Sequence, residues 1–314
     1  MKPIVTIIVA TYNRAHFIVE TLHSIQQQTF GEWECIIVDE GSTDNTEDVI
    51  EKFIQNDLRF LYFKKDKTKY KKGLAGTRNC GLDIAESRNA ELIQLFDDDD
   101  IMHPRKIEFQ VKDLLNDKKL SFTICKFKHY NENEDLEFKL IDFNCNIESS
   151  NLFNDFYLSK VKINSLGPLW RGDVLLKYRF DEDLLYSEER DLYLRIFLKE
   201  KIEYLPINYV LFYYRKHEIS NTKSRYDLST LISSKIKSEY NLFLFAKENI
   251  LFNEFLIKKF VVKFTFYYFD SNIVNELFNE LTILKKKKYN FLFFILVKIY
   301  IEVRLFFYFL IRKV

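Results

Sequence analysis

The chain has 314 residues, 47% of them hydrophobic and 30% charged, which excludes a disordered polypeptide and leaves room for about two domains. Lys and Arg number 47 against 46 Asp and Glu, a net charge of +1 that argues against a whole-protein electrostatic grip on nucleic acid. The four cysteines, Cys35, Cys80, Cys125 and Cys145, lie far apart with no C-x-x-C pair, so they form neither a disulfide framework nor a zinc pattern and fit a reducing cytoplasm.

In chain order, the apolar run Ile4 to Ala10 is short, contains Thr6 and leads straight into Thr11-Tyr12-Asn13-Arg14, with no small-residue cleavage site. It reads as a buried strand, not a signal peptide. Phe17/Ile18, Leu22 and Ile25 then keep helical spacing. Glu34 to Val38 reads as the second strand, Val49/Ile50 with Phe53/Ile54 as a helix, Phe60 to Phe63 and Leu92 to Phe96 as further strands. Pro104 suits the first turn of a helix with Ile107, Val111 and Leu114 along one face. Alternating strands and helices predict an α/β fold with right-handed crossovers and a mostly parallel sheet, whose ligands sit at the carboxyl ends of the strands. All seven glycines fall at or before Gly172 and the last proline is Pro206, so the remainder is expected to be helical.

The C-terminal segment has a character of its own. Residues 281–314 carry eight basic residues against Glu302, a charge of +7 that leaves −6 on residues 1–280. The apolar stretches between the basic residues have the length of a membrane span. However, Lys298, Glu302 and Arg304 sit in their middle, and each such charge costs roughly 2.5–3.5 kcal/mol at a bilayer centre. A helix lying on an anionic membrane surface is the preferred reading, ahead of a packing or oligomer helix and ahead of a true span.

Three polar clusters follow the strands: Thr11-Tyr12-Asn13-Arg14, Asp39-Glu40-Gly41-Ser42-Thr43-Asp44 and Asp97-Asp98-Asp99-Asp100. One acidic turn alone is usually a helix cap or a solvated loop. Four consecutive aspartates after a buried strand repel one another unless a cation sits among them, and their oxygens suit Mg²⁺ or Mn²⁺ carrying phosphates.

The order of motifs resembles the family 2 inverting glycosyltransferases of bacterial cell-surface polysaccharide synthesis, which have the GT-A fold. The motifs are Val5-Thr-Ile-Ile-Val-Ala-Thr-Tyr-Asn-Arg14, Ile37-Val-Asp-Glu-Gly-Ser-Thr-Asp44, Gly76-Thr-Arg-Asn-Cys-Gly-Leu82 and Leu95-Phe-Asp-Asp-Asp-Asp100. Phe180-Asp181-Glu182, Ser187-Glu-Glu-Arg-Asp-Leu-Tyr-Leu-Arg195 and Tyr214-Arg-Lys-His217 complete the series, which spans about residues 3–220.

The resemblance implies a GT-A domain over 1–220, with a nucleotide-sugar half at 1–110 and an acceptor half at 111–220, followed by a helical region with the membrane-associating tail at 221–314. It implies that Thr11 and Tyr12 line the base with Arg14 nearby, that Asp39 accepts a hydrogen bond from it, and that Arg78 lies beside the nucleotide and its phosphates. Asp97 would sit near the ribose, with Asp98 beside it on the nucleotide-sugar. Asp99 would hold Mn²⁺ or Mg²⁺, with His217 a candidate metal or phosphate ligand. The Asp98/Asp100 pair forms the same D-x-D pattern, but aligning Phe96 to Asp100 with the family favours Asp99.

The family pattern Gly-Glu-Asp-x-Asp-Leu-x-Leu-Arg appears here with Ser187-Glu188-Glu189 at its head. Glu189 aligns with the catalytic base and Glu188 with its neighbour. The competing reading is a charged helix N-terminus. Glu40 and Glu189 are each one methylene longer than the usual Asp. Trp170 suits either stacking on an acceptor sugar or core packing. The implied reaction moves a sugar from a nucleoside-diphosphate sugar, a UDP-sugar first, to a hydroxyl of a glycan or lipid-linked acceptor, with inversion. The expected location is the cytoplasmic face of the inner membrane. Two other classes compete: a catalytically inactive membrane-associated scaffold, and a nucleotidyltransferase, against which the absence of a Gly-rich basic loop near the N-terminus argues.

Overall fold

The computed structural model describes residues 3–131, 134–216 and 227–263. His217, the expected domain boundary at 220 and the basic tail at 281–314 lie outside these residues. The chain divides into two compact units between Ser238 and Glu239.

The first unit begins with β1 (Val5–Thr11), α1 (Ile18–Gln26), β2 (Trp33–Asp39), α2 (Thr46–Ile54), β3 (Phe60–Lys64), α3 (Leu74–Ser87) and β4 (Leu92–Asp97), all but α3 as expected. Each strand starts within one residue of its apolar run and extends one or two residues past it, into the polar cluster. After these come β5 (Ile101–Met102), α4 (Lys106–Asn116), β6 (Phe122–Asn131), α5 (Leu152–Tyr157), β7 (Pro168–Arg171), α6 (Gly172–Leu175), α7 (Glu188–Lys199) and β8 (Tyr204–Lys216). The sheet runs β3-β2-β1-β4-β7-β6-β8-β5. The first four strands are parallel, β7 is antiparallel to β4 and β6, β8 is parallel to β6 and β5 antiparallel to β8. The chain steps outward from β1 to β2 and β3, then returns to the other side of β1 with β4. That reversal opens a crevice at the carboxyl ends of β1, β2 and β4.

β1 and β2 are buried along their full length, which explains their unbroken apolar runs. On one face Val5, Ile7 and Val9 join Ile18, Leu22 and Ile25 of α1 and Ile107, Val111 and Leu114 of α4 in one core. On the other face α3 approaches so closely that a Cβ on Gly81 would meet Ile8 Cγ2 at 2.3 Å. Gly81, which permits this contact, and Gly76, which lies against the Lys71 backbone, also mask the helical periodicity of α3, which apolar spacing does not reveal.

Two expectations are corrected. Pro104 lies just ahead of α4, whose N-cap is Arg105, and not in its first turn. The stretch after Pro206 is not helical at first, because β8 carries on to Lys216 against β6, with a register shift at Cys125 to Phe127. Its aromatic and β-branched residues favour a pleated, half-buried surface over a helix. Helices then follow as expected, α8 (Leu228–Glu248) and α9 (Glu254–Lys263). Within the second unit Leu242, Phe243, Ala246, Leu256, Ile257 and Phe260 are buried, and the Phe243 and Phe260 rings meet edge-on at 5.7 Å. Among the described residues no helix is long and apolar enough to cross a membrane.

Candidate active site

A cavity of about 580 Å³ opens at the crevice, within the size range of small-ligand sites. Its walls come from the ends of β1 and β4, the start of α3, the segment 159–166 and the segment that leads into α7. Thr11, Tyr12, Arg14, Arg78, Asp97, Asp98, Asp99, Glu188 and Glu189 all line it.

The loop after β1 is held by the loop after β2. Asn13 adopts a left-handed φ of 53°, which Asn tolerates. Its N–H donates to Ser42 Oγ at 2.9 Å and its Oδ1 accepts from the Thr43 N–H at 2.8 Å. The Arg14 N–H donates to Thr46 Oγ1 at 2.8 Å. These bonds turn the Arg14 side chain, only 4% exposed, toward Asp98 at 3.4 Å and Asp99 at 3.7 Å.

Asp39, expected to accept a hydrogen bond from the base, sits at the end of β2. It is 1% exposed and is not among the cavity-lining residues. Oδ1 accepts from the N–H groups of Gly41 and Ser42 and from Ser42 Oγ, and Oδ2 accepts from the Tyr62 hydroxyl at 2.8 Å. In this structure Asp39 shapes the loop beneath the site. Its neighbour Glu40 reaches the cavity wall, where Oε1 accepts from the Gly73 N–H at the start of α3 at 2.5 Å and from Lys65 Nζ at 3.2 Å. The added methylene of Glu40 therefore spans from β2 to α3.

The four aspartates split. Asp97, Asp98 and Asp99 line the cavity, whereas Asp100 is buried behind it, with Oδ1 accepting from the Arg215 N–H at 2.8 Å. Arg215 also donates from Nε to the Asp99 carbonyl and pairs with Glu20. The Asp97/Asp99 frame thus faces the cavity, and Asp100 anchors the turn to β8. Burial pushes the Asp97 carboxyl up to about 6, with Arg78 opposing and Glu189 and Asp99 adding to the rise. Burial likewise takes Asp98 to about 7, with Asp99 adding and Arg14 opposing. A wall of hard oxygens that two arginines leave short of positive charge fits a divalent cation. No group of three or more His, Cys, Asp or Glu among the described residues could hold such an ion by itself. One cavity-facing carboxylate together with a ligand's phosphates is a usual Mg²⁺ arrangement, so the residues fit the cation the resemblance implies. His217 lies outside the described residues.

Arg78 joins the two sides of the cavity. It is 2% exposed and donates from Nη2 to Asp97 at 2.7 Å and to Ser165 Oγ at 2.9 Å. From Nη1 it donates to Glu189 at 3.1 Å and toward Glu188 at 3.4 Å. Burial works against its charge, but Asp97, Glu189 and Glu188 more than offset this and hold it cationic. One residue on, Asn79 clasps the segment before α7: its Nδ2 donates to the Phe180 carbonyl and to Glu182 Oε1, and its Oδ1 accepts from the Phe180 N–H. The motif around Arg78 therefore ties the aspartate turn to the acidic end of α7.

α7 starts at Glu188, whose N-cap Ser187 has φ 66° in the left-handed region. Glycine suits that conformation better, which accounts for the Gly at this position of the family pattern. Glu188, Glu189 and Asp191 occupy the first turn, where the helix dipole favours acids. Asp191 is fully buried and pairs with Arg195, so it is a scaffold residue. Burial pushes Glu188 up to about 7, with Glu189 adding and Arg78 opposing. Glu189 Oε1 accepts from Ser165 Oγ at 2.7 Å, and Oε2 accepts from the Ser165 N–H at 3.0 Å.

Sequence reasoning missed Glu182 and Tyr214 as parts of the cavity wall, and Ser165, which is buried behind it against Glu189. Ser165 carries no signature of its own, whereas Glu182 closes the Phe180-Asp181-Glu182 motif. Tyr214 belongs to the Tyr214-Arg-Lys motif at the end of β8, and the three cavity aspartates' neighbourhood could have drawn attention to it. Trp170 is fully buried, 4.4 Å from the Phe122 ring and 5.4 Å from the Tyr193 ring, so it is a core residue and stacks on no sugar.

Comparison with known proteins agrees with this geometry. Residues 6–183 match the family described as Glycosyl transferase family 2. The chain is similar to the UDP-Glc:alpha-D-GlcNAc-diphosphoundecaprenol beta-1,3-glucosyltransferase WfgD of Escherichia coli, 27% identical over 59% of this chain and 81% of that protein. It is also similar to the GalNAc(5)-diNAcBac-PP-undecaprenol beta-1,3-glucosyltransferase of Campylobacter jejuni, 28% identical over 65% of this chain and 62% of that protein. Among solved structures, S. aureus TarS 1-349 in complex with UDP-GlcNAc superposes with a TM-score of 0.63 at 21% identity, over 85% of this chain and 73% of that one. The mannosyltransferase PcManGT of Pyrobaculum calidifontis with GDP-Man and Mn²⁺ superposes with a TM-score of 0.52 at 17% identity, over 81% and 66%. The chain belongs to glycosyl transferase family 2 and is a glycosyltransferase of the GT-A fold.

Proposed function

We propose that the protein transfers a sugar from a UDP-sugar to a hydroxyl of a lipid-linked diphosphate glycan in surface polysaccharide synthesis, with inversion and with Glu189 as the base. The observation that carries this reading is the bridging of Asp97 and Glu189 by the single side chain of Arg78, which draws a donor wall and a base wall onto one cavity. Support for the substrates comes from relatives named for UDP-Glc donors and undecaprenol-linked acceptors.

In this reading Thr11, Tyr12 and Arg14 border the nucleotide, and Asp97 and Asp98 the ribose and diphosphate. Asp99 would hold a divalent cation together with the donor's phosphates, and that cation supplies positive charge to the departing diphosphate. The acceptor approaches from the side of residues 159–166 and 184–190. Its oxygen bonds to the anomeric carbon from the face opposite UDP, the bond to UDP breaks with its electron pair leaving on the phosphate, and the hydroxyl proton passes to Glu189. Oε2 of Glu189 accepts the Ser165 N–H, and as a carboxylate oxygen it keeps a second lone pair that would take that proton. General-base assistance of this kind contributes ~10²–10⁴-fold. The basic tail at 281–314 would bring the enzyme to the anionic membrane that carries the acceptor.

The test is incubation of the full chain with UDP-Glc, UDP-GlcNAc or UDP-Gal, Mn²⁺ and an α-GlcNAc-diphospho-lipid, reading UDP release and the anomeric configuration of the product. A β-linked product from an α-linked donor supports the reading. A retained configuration, or nucleotide transfer without sugar transfer, overturns it.

A further inference from the structure

Ser165 is fully buried, yet it addresses the carboxylate of Glu189 with both of its donors. Its hydroxyl oxygen also accepts from Arg78 Nη2 at 2.9 Å, the same nitrogen that holds Asp97. The backbone on which Ser165 stands is fixed from the core. Gln94 of β4 donates from Nε2 to the Leu166 carbonyl at 2.9 Å. Gln110 of α4 donates to the carbonyls of Gly167 at 2.8 Å and Thr123 at 3.2 Å. Both glutamine side-chain oxygens are held by the ammonium of Lys106, a fully buried lysine. Asn164 Oδ1 accepts from the Gly167 N–H at 3.0 Å and closes the turn.

A buried lysine and two buried glutamines are an expensive way to hold one loop in an apolar core, because each polar group must find its partners there. Their common product is the position of Ser165. A carboxylate on a glutamate arm has one more rotatable bond than on an aspartate. A two-point clamp removes that freedom, and misplacement by about 1 Å costs on the order of 10² in rate.

We propose that Ser165 is the positioning residue for Glu189, clamping its carboxylate so that the longer arm presents Oε2 to the acceptor, and that the Lys106–Gln94–Gln110 network exists to hold Ser165 in place. This rests on Glu189 being the base. It accounts for how Glu can stand where the family uses Asp.

The experiment compares Ser165→Ala, Glu189→Gln and the double variant in the full chain, reading UDP release with Mn²⁺ from whichever of UDP-Glc, UDP-GlcNAc and UDP-Gal the unmodified protein turns over fastest. UDP affinity by calorimetry and the thermal midpoint accompany each rate. Ser165→Ala keeps the backbone N–H and removes two charge-assisted hydrogen bonds, the one donated to Glu189 and the one accepted from Arg78, so kcat should fall ~10–100-fold with donor KM and UDP affinity within about twofold. In the Glu189→Gln background the same change should have little further effect, because both act on one group. Wild-type kcat in Ser165→Ala with Glu189→Gln inactive overturns the clamp and leaves the base assignment standing. An active Glu189→Gln overturns the base assignment itself. A Ser165→Ala protein with raised KM, weakened UDP binding and a lowered midpoint, or additive losses in the double variant, would make Ser165 a packing residue and overturn the proposal.

Discussion

Replacing Arg78 by methionine keeps the length and apolar stem of the side chain and removes its charge and donors. In the native protein the guanidinium lies 2.7 Å from Asp97, 3.1 Å from Glu189 and 3.4 Å from Glu188. A single pair at about 4 Å between charge centres is worth about 4 kcal/mol at an effective dielectric near 20, and the carboxylates' mutual repulsion offsets part of three such pairs. Removing one partner of a buried pair costs about 3–5 kcal/mol, which is the expected loss for Arg78→Met at pH 8. The loss should depend on pH. Burial pushes Glu188 up to about 7 and Asp97 up to about 6 with Arg78 opposing, so without Arg78 these two carboxyls rise further. An acid whose folded pKa lies above its unfolded value stabilises the fold below the unfolded value and loses that contribution as pH rises through the folded one. At pH 5 Glu188 and Asp97 of the mutant are therefore largely protonated and the deficit should shrink to about half, on the same linkage argument. Urea unfolding at pH 5 and pH 8 reads both numbers. A deficit under about 1 kcal/mol, or one equal at both pH values, would refute the idea that Arg78 holds these carboxylates together.

Asp99→Ala should abolish the Mn²⁺-dependent part of UDP binding in calorimetry; unchanged metal-dependent affinity would move the cation to another carboxylate. Ser187→Gly should raise stability by about 0.5–1 kcal/mol in urea unfolding with UDP binding unchanged, since it relieves a left-handed non-glycine residue at some cost in unfolded-chain entropy. The full chain should float with anionic liposomes, less so at high salt, and removal of residues 281–314 should end flotation without loss of UDP affinity. Failure of the full chain to float would make the tail a packing or oligomer helix.

The elements that were legible in the sequence are those whose physics is local. β1, β2 and β4 are buried along nearly their whole length and so appear as short unbroken apolar runs with a polar cluster at the carboxyl end. The Asp97-to-Asp100 run pointed to the cavity, and only the Arg215 contact distinguishes Asp100 as an anchor. β8 was hidden because lack of Gly and Pro fits a paired strand as well as a helix, and the β6 partner that decides is some 80 residues away. α3 was hidden because its glycines serve close contacts, Gly81 with the sheet and Gly76 with the Lys71 backbone, and not periodicity. Arg78 was expected beside phosphates, and the structure has it among carboxylates, a fact that depends on α3, β4 and α7 meeting. Asp39 was expected to accept from the base, and its contacts to the Gly41 and Ser42 N–H groups appear only in the folded loop. Ser165 sits in an ordinary Asn-Ser-Leu-Gly-Pro segment, and nothing short of the third dimension brings it to Glu189.

The account turns on which carboxylate takes the acceptor proton, and the rate of sugar transfer by Glu189→Gln, with Glu188→Gln alongside, tests it most directly. Glu189→Gln keeps shape and hydrogen bonding but cannot accept a proton, so transfer should fall by at least ~10²-fold with UDP affinity nearly unchanged, and Glu188→Gln should be milder. Transfer that persists in Glu189→Gln while Glu188→Gln is inactive would contradict the account and make Glu188 the base.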